Sequence, residues 1–145
     1  MKGNKKIPAI IPARGGSRRL PRKNILPFCG HPLIAWSIEQ AKHCKYVDDV
    51  WVTTDDDEIA AISAEYGARV IRRPDWPKPD ELSALMPTLH AIGEIRNEYD
   101  FDVHTVPLPT DPVWHPWDYD REFERFFSIA EKNPKMTQVS PYCKK

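Results

Sequence analysis

The stretch "IIPARGGSRRLPRKNI" (residues 10–25) joins a short apolar run to a loop that carries two glycines and five positive charges. An apolar run of this length, interrupted by a proline, is typical of a short buried strand. Glycines let the backbone approach a ligand and turn its amide groups toward an anion, while arginine and lysine supply charge and directed hydrogen bonds. The stretch therefore predicts a strand followed by an anion-binding loop.

The positive charge of this loop is a local property. The 145 residues include 21 basic and 21 acidic side chains, and the formal net charge is +0. No acidic residue precedes Glu39, so the amino-terminal part is strongly basic although the chain is neutral. Overall neutrality gives no reason to expect binding to nucleic acid or to a membrane surface. A small anionic ligand fits the local charge better.

The sequence contains few signals that indicate a cellular compartment. No segment approaches the roughly 20 apolar residues that a transmembrane helix requires, and we predict no signal peptide. Cys29, Cys44 and Cys143 show neither paired metal-ligand spacing nor a disulfide framework. These observations predict a cytoplasmic protein.

Beyond the loop, short β-type runs alternate with segments of helical periodicity. The predicted strands lie at 7–11, 48–55, 68–71, 102–108 and 136–142, and the predicted helices at 31–44, 56–67, 82–95 and 120–132. Such alternation predicts an α/β fold, in which helices cover both faces of a mostly parallel sheet. Ligands of these sheets bind at the carboxyl ends of the strands, which is where the basic loop lies.

Several residues have predicted places within the helices. Thr54 and Asp57 form a candidate capping box for the second helix, and Gly67 is its natural stop. Pro87 should kink the third helix or mark its start. The predicted inward faces are Leu33, Ile34, Ile38 and Ala41 for the first helix, Leu82, Leu85, Leu89, Ile92 and Ile95 for the third, and Phe123, Phe126, Phe127 and Ala130 for the fourth.

Two interpretations of the charged segments stay open at this point. The loop has neither the GxxxxGK[ST] nor the GxGxxG spacing, so phosphate binding competes with a merely solvated basic loop. The aspartates at 55–57 could bind a metal, but capping and the helix dipole explain three acids at a helix start more simply.

The segment "IPARGGSRRLPRKNI" resembles the opening signature of the acylneuraminate (sialic acid) cytidylyltransferases, which make CMP-activated nine-carbon sugar acids from CTP. It is less similar to the related Kdo cytidylyltransferases. The resemblance continues through "VTTDDDEIAAISAEYGARVIRRP", "DELSALMPTLHAI" and "TQVSPY". It implies that residues 1–145 form a single nucleotidyltransferase domain with a Rossmann-like three-layer α/β/α fold, equivalent to the family's amino-terminal portion and short of its carboxyl-terminal part.

The resemblance also implies roles for individual residues. Arg14 and Lys23 are the candidate catalytic cations, Lys23 facing the charge that develops on the phosphates. The implied nucleotide-binding set is Arg14, Gly15, Gly16, Ser17, Arg18, Lys23, Asn24, Arg73 and Ser83, with Arg73 and Ser83 at the cytosine. Asn24 could instead be only a turn residue, and Arg73 could simply pair with Asp75 or Glu81.

One motif departs from the family. After the fourth strand the family reads Gln-Pro-Thr-Ser-Pro-Leu-Arg, whereas this chain reads "LPTDPVW" at residues 108–114. Leu108, Thr110 and Trp114 therefore lie where the acceptor sugar is expected. Loss of a polar contact and a cation should alter acceptor recognition, so an acceptor other than ordinary sialic acid is expected. Asp111 is a candidate Mg²⁺ ligand, or a turn cap before Pro112.

Two classes of function follow from the sequence. The first, implied by the resemblance, is an enzyme, or the amino-terminal part of one, that transfers CMP from CTP to the anomeric hydroxyl of a nonulosonic (sialic-like) sugar acid and releases pyrophosphate. The resemblance also implies Mg²⁺ and a homodimer. The second is a non-catalytic nucleotide-binding module derived from the same family.

Overall fold

The computed structural model describes residues 5–16, 22–76, 85–109, 115–133 and 135. Its elements in chain order are β1 (Pro8–Pro12), a 3₁₀ turn (Lys23–Ile25), β2 (Pro27–Phe28), β3 (His31–Pro32), α1 (Leu33–His43), β4 (Asp49–Thr54), α2 (Asp57–Glu65), β5 (Arg69–Arg72), α3 (Leu85–Arg96) and α4 (Pro116–Lys132). The predicted last strand, 136–142, lies outside the described residues.

Strands β1, β4 and β5 form a parallel sheet in the order β1–β4–β5. Trp51 lies at the centre of this sheet, opposite Ile10 on one side and Arg69 on the other. Parallel neighbours require crossover connections, and α1 and α2 are the helices of those crossovers. The parallel α/β arrangement predicted from the sequence is confirmed.

Alternate side chains of the sheet face two different layers of helices. Ile11 packs in one buried cluster with Ile38 of α1 and Ile59 of α2. Ile10, its neighbour in β1, packs in another with Ile95 of α3. Because successive strand residues point to opposite faces, this division places helices on both faces of the sheet and confirms the three-layer fold.

The fourth helix packs at one margin of the sheet. Phe123 is buried and shares a cluster with Ile7 and Cys44. The other predicted inward residues of this helix, Phe126, Phe127 and Ala130, are only partly buried. The helix also begins at Pro116, earlier than predicted, because proline is well suited to the first helical position.

The predicted strand at 102–108 is wrong as a full strand. Only Thr105 makes a parallel bridge, to Ala9 of β1. The Ile10 amide donates to the Thr105 carbonyl at 2.9 Å, and the Thr105 amide donates to the Pro8 carbonyl at 3.1 Å. Pro107 and Pro109 lack the N–H that would continue the ladder, so the extended segment touches the outer edge of β1 at one residue.

The predicted inward face of α3 is also wrong in part. Leu85 and Leu89 are 62% and 52% exposed. Ile95 is buried as predicted and Ile92 packs at the edge of the core, while Leu82 lies outside the described residues. The buried positions of the helix are Pro87, Thr88, Ala91 and Ile95. The helix has two adjacent apolar stripes, so periodicity alone could not select the one that faces the sheet.

The cap of α2 differs from the prediction by two residues. Asp56, not Thr54, is the N-cap, and its side chain accepts hydrogen bonds from the Glu58 and Ile59 amides. Thr54 Oγ1 accepts from the Asp56 amide at 3.1 Å, which orients the cap from outside the helix. Gly67 follows the helix with φ +92°, so the predicted glycine stop is confirmed.

Candidate functional site

The carboxyl ends of the three parallel strands bring three chain segments together. The Ala13 amide, just after β1, donates to the Thr53 carbonyl of β4 at 3.0 Å. The Arg73 amide, just after β5, donates to the Thr54 carbonyl at 3.1 Å. The first residues of the basic loop, the end of β4 and Arg73 therefore form one edge, as the fold rule predicts.

Gly15 lies against the start of α2. Its amide donates to Asp55 Oδ1 at 3.0 Å. A Cβ atom at this position would come within 2.6 Å of Asp56 Oδ2 and 2.9 Å of Asp56 Cβ. Only glycine allows this approach, which gives the first loop glycine a steric reason independent of any ligand.

Asn24 connects the two ends of the basic loop. Its side chain is 4% exposed, and Nδ2 donates to the Arg14 carbonyl at 3.0 Å. This contact, to a residue ten positions earlier, supports the predicted role of Asn24 in fixing the loop over the alternative that Asn24 is only a turn residue. Contact between Asn24 and a nucleotide stays a prediction.

Arg14 and Lys23, the two candidate catalytic cations, lie at opposite ends of the loop. Arg14 follows β1 and is half-buried, and Lys23 begins the 3₁₀ turn, also half-buried. Lys23 makes no ion pair with any carboxylate that the structure describes. Gly16 is exposed beside Arg14 and Gly15.

Arg73 is held by the sheet itself. Its Nη2 donates to the Thr53 carbonyl at 3.2 Å. Burial lowers the pKa of Arg73; the Asp55 carboxylate opposes that shift and the positive charge of Arg14 adds to it. Within the described segments Arg73 forms no ion pair with Asp75, and Glu81 lies outside them. A half-buried guanidinium beside a second one is a suitable arrangement for an anionic or strongly polar ligand.

Sequence reasoning missed an ion pair that crosses the loop. Arg22 Nη1 and Nη2 donate to Asp56 Oδ2 and Oδ1 at 2.7 Å and 2.8 Å, and Nη2 also donates to Glu58 Oε2 at 2.7 Å. The Arg22 hydrogen bonds are the largest cause that lowers the pKa of Asp56 to about 2. The excess of cations in the loop and of acids at 55–58 is visible in the sequence, but nothing there indicates which residues pair.

Other predicted site residues are not placed. Ser17, Arg18, Ser83, Thr110, Asp111 and Trp114 lie outside the described residues. Leu108 is described: its side chain is partly exposed, and its carbonyl lies 3.4 Å from Ser37 Oγ of α1.

The described residues do not by themselves form a metal site. Among them, no three His, Cys, Asp or Glu side chains are grouped so that they could hold an ion. Asp55 accepts from Gly15, and both carboxylate oxygens of Asp56 accept from Arg22. Of the acids at 55–57, Asp56 caps α2 as the capping interpretation expects, and the Mg²⁺ prediction depends on Asp111. Among the described segments, no helix has the length and apolar content needed to span a membrane.

The described sheet and its helices match the fold of solved nucleotidyltransferases. This chain is similar to a solved CMP:2-keto-3-deoxy-manno-octonic acid synthetase complexed with CTP, with a TM-score of 0.72 and 25% identity. The match covers 90% of this chain and 49% of the synthetase chain. The cytidylyltransferase family model matches residues 8–97. The chain belongs to the cytidylyltransferase family.

Curated relatives refine this assignment. A pseudaminic acid cytidylyltransferase of Campylobacter jejuni is 53% identical over 125 residues, which are 85% of this chain and 54% of the relative. An N-acylneuraminate cytidylyltransferase of Oncorhynchus mykiss is 39% identical over 111 residues, 77% of this chain and 25% of the relative. The predicted resemblance is confirmed, and the chain spans about half the length of the bacterial relative and a quarter of the fish one.

Proposed function

We propose that the protein transfers CMP from CTP to the anomeric hydroxyl of a nonulosonic sugar acid and releases pyrophosphate. The observation that carries the proposal is the convergence of Arg14, Gly15, Asn24 and Arg73 at the carboxyl edge of the sheet, in a chain that is 53% identical to a pseudaminic acid cytidylyltransferase. That identity and the altered motif at 108–114 favour an acceptor of the pseudaminic acid type over ordinary sialic acid.

In this proposal the basic loop binds the triphosphate. The Gly15 and Gly16 backbone lies beside Arg14, so amides and a guanidinium would face the same phosphate oxygens, with Ser17 and Arg18 completing the loop. The Gly15 amide donates to a carboxylate oxygen of Asp55, so a phosphate oxygen would bind this amide by displacing that carboxylate.

Catalysis in such an in-line transfer depends on positioning and charge stabilisation. Lys23 and Arg14 would stabilise the negative charge that builds on the α-phosphate oxygens and on the departing pyrophosphate. Arg73 is held at the strand edge by Thr53 and would bind the cytosine together with Ser83. Leu108, Thr110 and Trp114 would contact the acceptor sugar.

Three further elements belong to the proposal. Mg²⁺ would be held by phosphate oxygens and Asp111, a hard-oxygen set that suits this ion. A homodimer and a cytoplasmic location are proposed on the same family grounds. None of the roles given to Arg14, Lys23 or Arg73 depends on the metal.

The test is calorimetric titration with CTP, ATP and UTP, with and without Mg²⁺, followed by assay of pyrophosphate release with nine-carbon and eight-carbon sugar acids. Replacing Arg14 and Lys23 together by alanine should weaken CTP binding by about a hundredfold, since two cations that face the phosphates are removed. Lys45→Ala, which removes a cation that pairs with Glu124 on α4, is the control and should bind CTP normally.

The outcomes separate the two classes of function. Selective CTP binding with pyrophosphate release supports the enzyme. CTP binding without release for any acceptor supports the non-catalytic module instead, and a folded protein that binds no nucleotide contradicts both.

A further inference from the structure

We propose that Arg22 and Asp56 are a positioning pair that fixes the geometry of the nucleotide loop before any nucleotide binds. The inference rests on the proposed function for its consequence, which is tighter binding of CTP. Arg22 and Asp56 touch no substrate in this proposal; they act on Gly15 and Lys23, which do.

Asp56 contacts both ends of the loop. Its side chain packs so closely on Gly15 that a Cβ there would lie 2.6 Å from Oδ2. The same Oδ2 accepts from Arg22 Nη1 at 2.7 Å. The Asp56 carboxylate thus packs on the residue before the 17–21 segment and is ion-paired with the residue after it. The Asn24 contact with the Arg14 carbonyl joins the same two ends at a second point.

Arg22 in turn sets the course of the chain that carries Lys23. Its backbone is left-handed, with φ 55°, a conformation that non-glycine residues adopt rarely and only when their surroundings impose it. The Arg22 carbonyl accepts from the Ile25 amide at 3.1 Å, which opens the 3₁₀ turn. Anchoring the Arg22 side chain on α2 therefore directs the adjacent Lys23 and Asn24.

The Arg22–Asp56 ion pair has the properties of a contact that can hold a loop in place. It is bidentate and charge-assisted, and the Asp56 side chain is only 17% exposed. The neighbouring pair between Arg72 and Asp57 has an almost fully exposed carboxylate, 96%, and such pairs contribute little because solvent screens them. The low pKa of Asp56, about 2, keeps the pair charged at any physiological pH.

Asp56 also caps α2, so its two roles must be separated experimentally. Asparagine is as good an N-cap as aspartate, so Asp56→Asn keeps the cap and removes the bidentate carboxylate from Arg22, while the Glu58 carboxylate remains. Arg22→Gln removes the guanidinium from both Asp56 and Glu58 and leaves the capping side chain of α2 in place. Glu98→Gln is the matched control, because it breaks a second bidentate pair, with Arg69, at the opposite end of β5.

The first measurement is hydrogen exchange without nucleotide. Asp56→Asn and Arg22→Gln should each speed exchange of the Gly15, Ile25 and Leu26 amides about tenfold, because these amides donate within the tied loop ends. Glu98→Gln should leave them unchanged. Equal exchange in the two loop variants and the wild type would overturn the proposal, whatever the ligand is.

The second measurement is the CTP dissociation constant of the same proteins. Each single variant should bind about tenfold more weakly, because a misplaced loop loses contacts. The double variant should be no weaker than Arg22→Gln, because that change already removes every contact of the pair. Faster exchange with unchanged CTP affinity, or an additive double variant, overturns the positioning role. If the variants exchange faster but the wild type binds no nucleotide, the proposed function is contradicted, and so is the expected effect on CTP affinity.

Discussion

Asp56 accepts hydrogen bonds from two backbone amides of α2 and from a guanidinium that lies 34 positions earlier in the chain. In the sequence it is the middle of three consecutive aspartates, and the local pattern favours Thr54 and Asp57 as the capping pair instead. The local pattern located the cap of α2 within two residues, but the long-range partner Arg22 belongs to the tertiary fold. The loop and its glycines were predictable; the ion pair that fixes them was not.

A comparison of two glycine substitutions tests the steric account of Gly15. Gly15→Ala should destabilise the protein by about 1–3 kcal/mol, because the new Cβ would overlap the Asp56 side chain. Gly93→Ala, in α3, places its new Cβ where nothing lies within 4 Å, so it should instead stabilise by about 0.5–1 kcal/mol through helix propensity. Urea unfolding measures both, and an unaffected Gly15→Ala would contradict the close packing.

The pH dependence of stability reports on Asp56. Its pKa is lowered from 3.8 to about 2 in the folded state, so its contribution is fully present above about pH 4 and is lost as the pH falls toward 2. Wild type should therefore have a higher Tm than Asp56→Asn at pH 7. The difference should shrink between pH 4 and pH 2, measured by circular dichroism melts, and a constant difference would show that Asp56 does not titrate as described.

At the scale of elements, the short strands and the helices of the core were predictable because their patterns are unambiguous. The pairing of the segment at 102–108 and the buried face of α3 were not. Thr105 pairs with β1 while Pro107 ends the pairing, and α3 buries Ala91 and Ile95 rather than Leu85 and Leu89. Where a helix has two apolar stripes, packing against the rest of the molecule decides which one is buried.

Two truncations on α3 test that assignment. Ile95→Ala should lower the free energy of unfolding by about 3 kcal/mol, because Ile95 is fully buried against the sheet. Leu89→Ala should change it by less than about 1 kcal/mol, because Leu89 is half exposed. Chemical denaturation measures both free energies of unfolding. A larger loss for Leu89→Ala than for Ile95→Ala would support the inward face predicted from periodicity.

At the scale of the whole molecule, alternation of strand and helix was enough to predict the parallel sheet, and chain order then predicted that the basic loop begins at the carboxyl ends of the strands. The resemblance of the quoted motifs predicted the family, and the comparisons confirm it. Composition could not yield the sheet order or the burial of Cys44, because both depend on how distant segments pack.

Thiol modification reports on the integrity of the packed molecule. Burial is the main cause that raises the pKa of Cys44 to about 12, and its Sγ donates to Asp120 Oδ1 at 3.0 Å. At pH 8 Cys44 should resist iodoacetamide while the exposed Cys29 reacts. Peptide mapping by mass spectrometry measures both sites, and Cys44 should become reactive only in denaturant. Rapid native labelling of Cys44 would contradict its burial.

The basic loop near the amino end is completed by residues made much later. Gly15 meets Asp55, Arg22 meets Asp56, and β1 pairs with β4 across about 41 positions. During synthesis the loop is translated early, yet it cannot take its final shape until β4 and the start of α2 have left the ribosome. The loop therefore takes its folded shape late, together with closure of the parallel sheet, and such long-range closure favours slow folding over fast local folding.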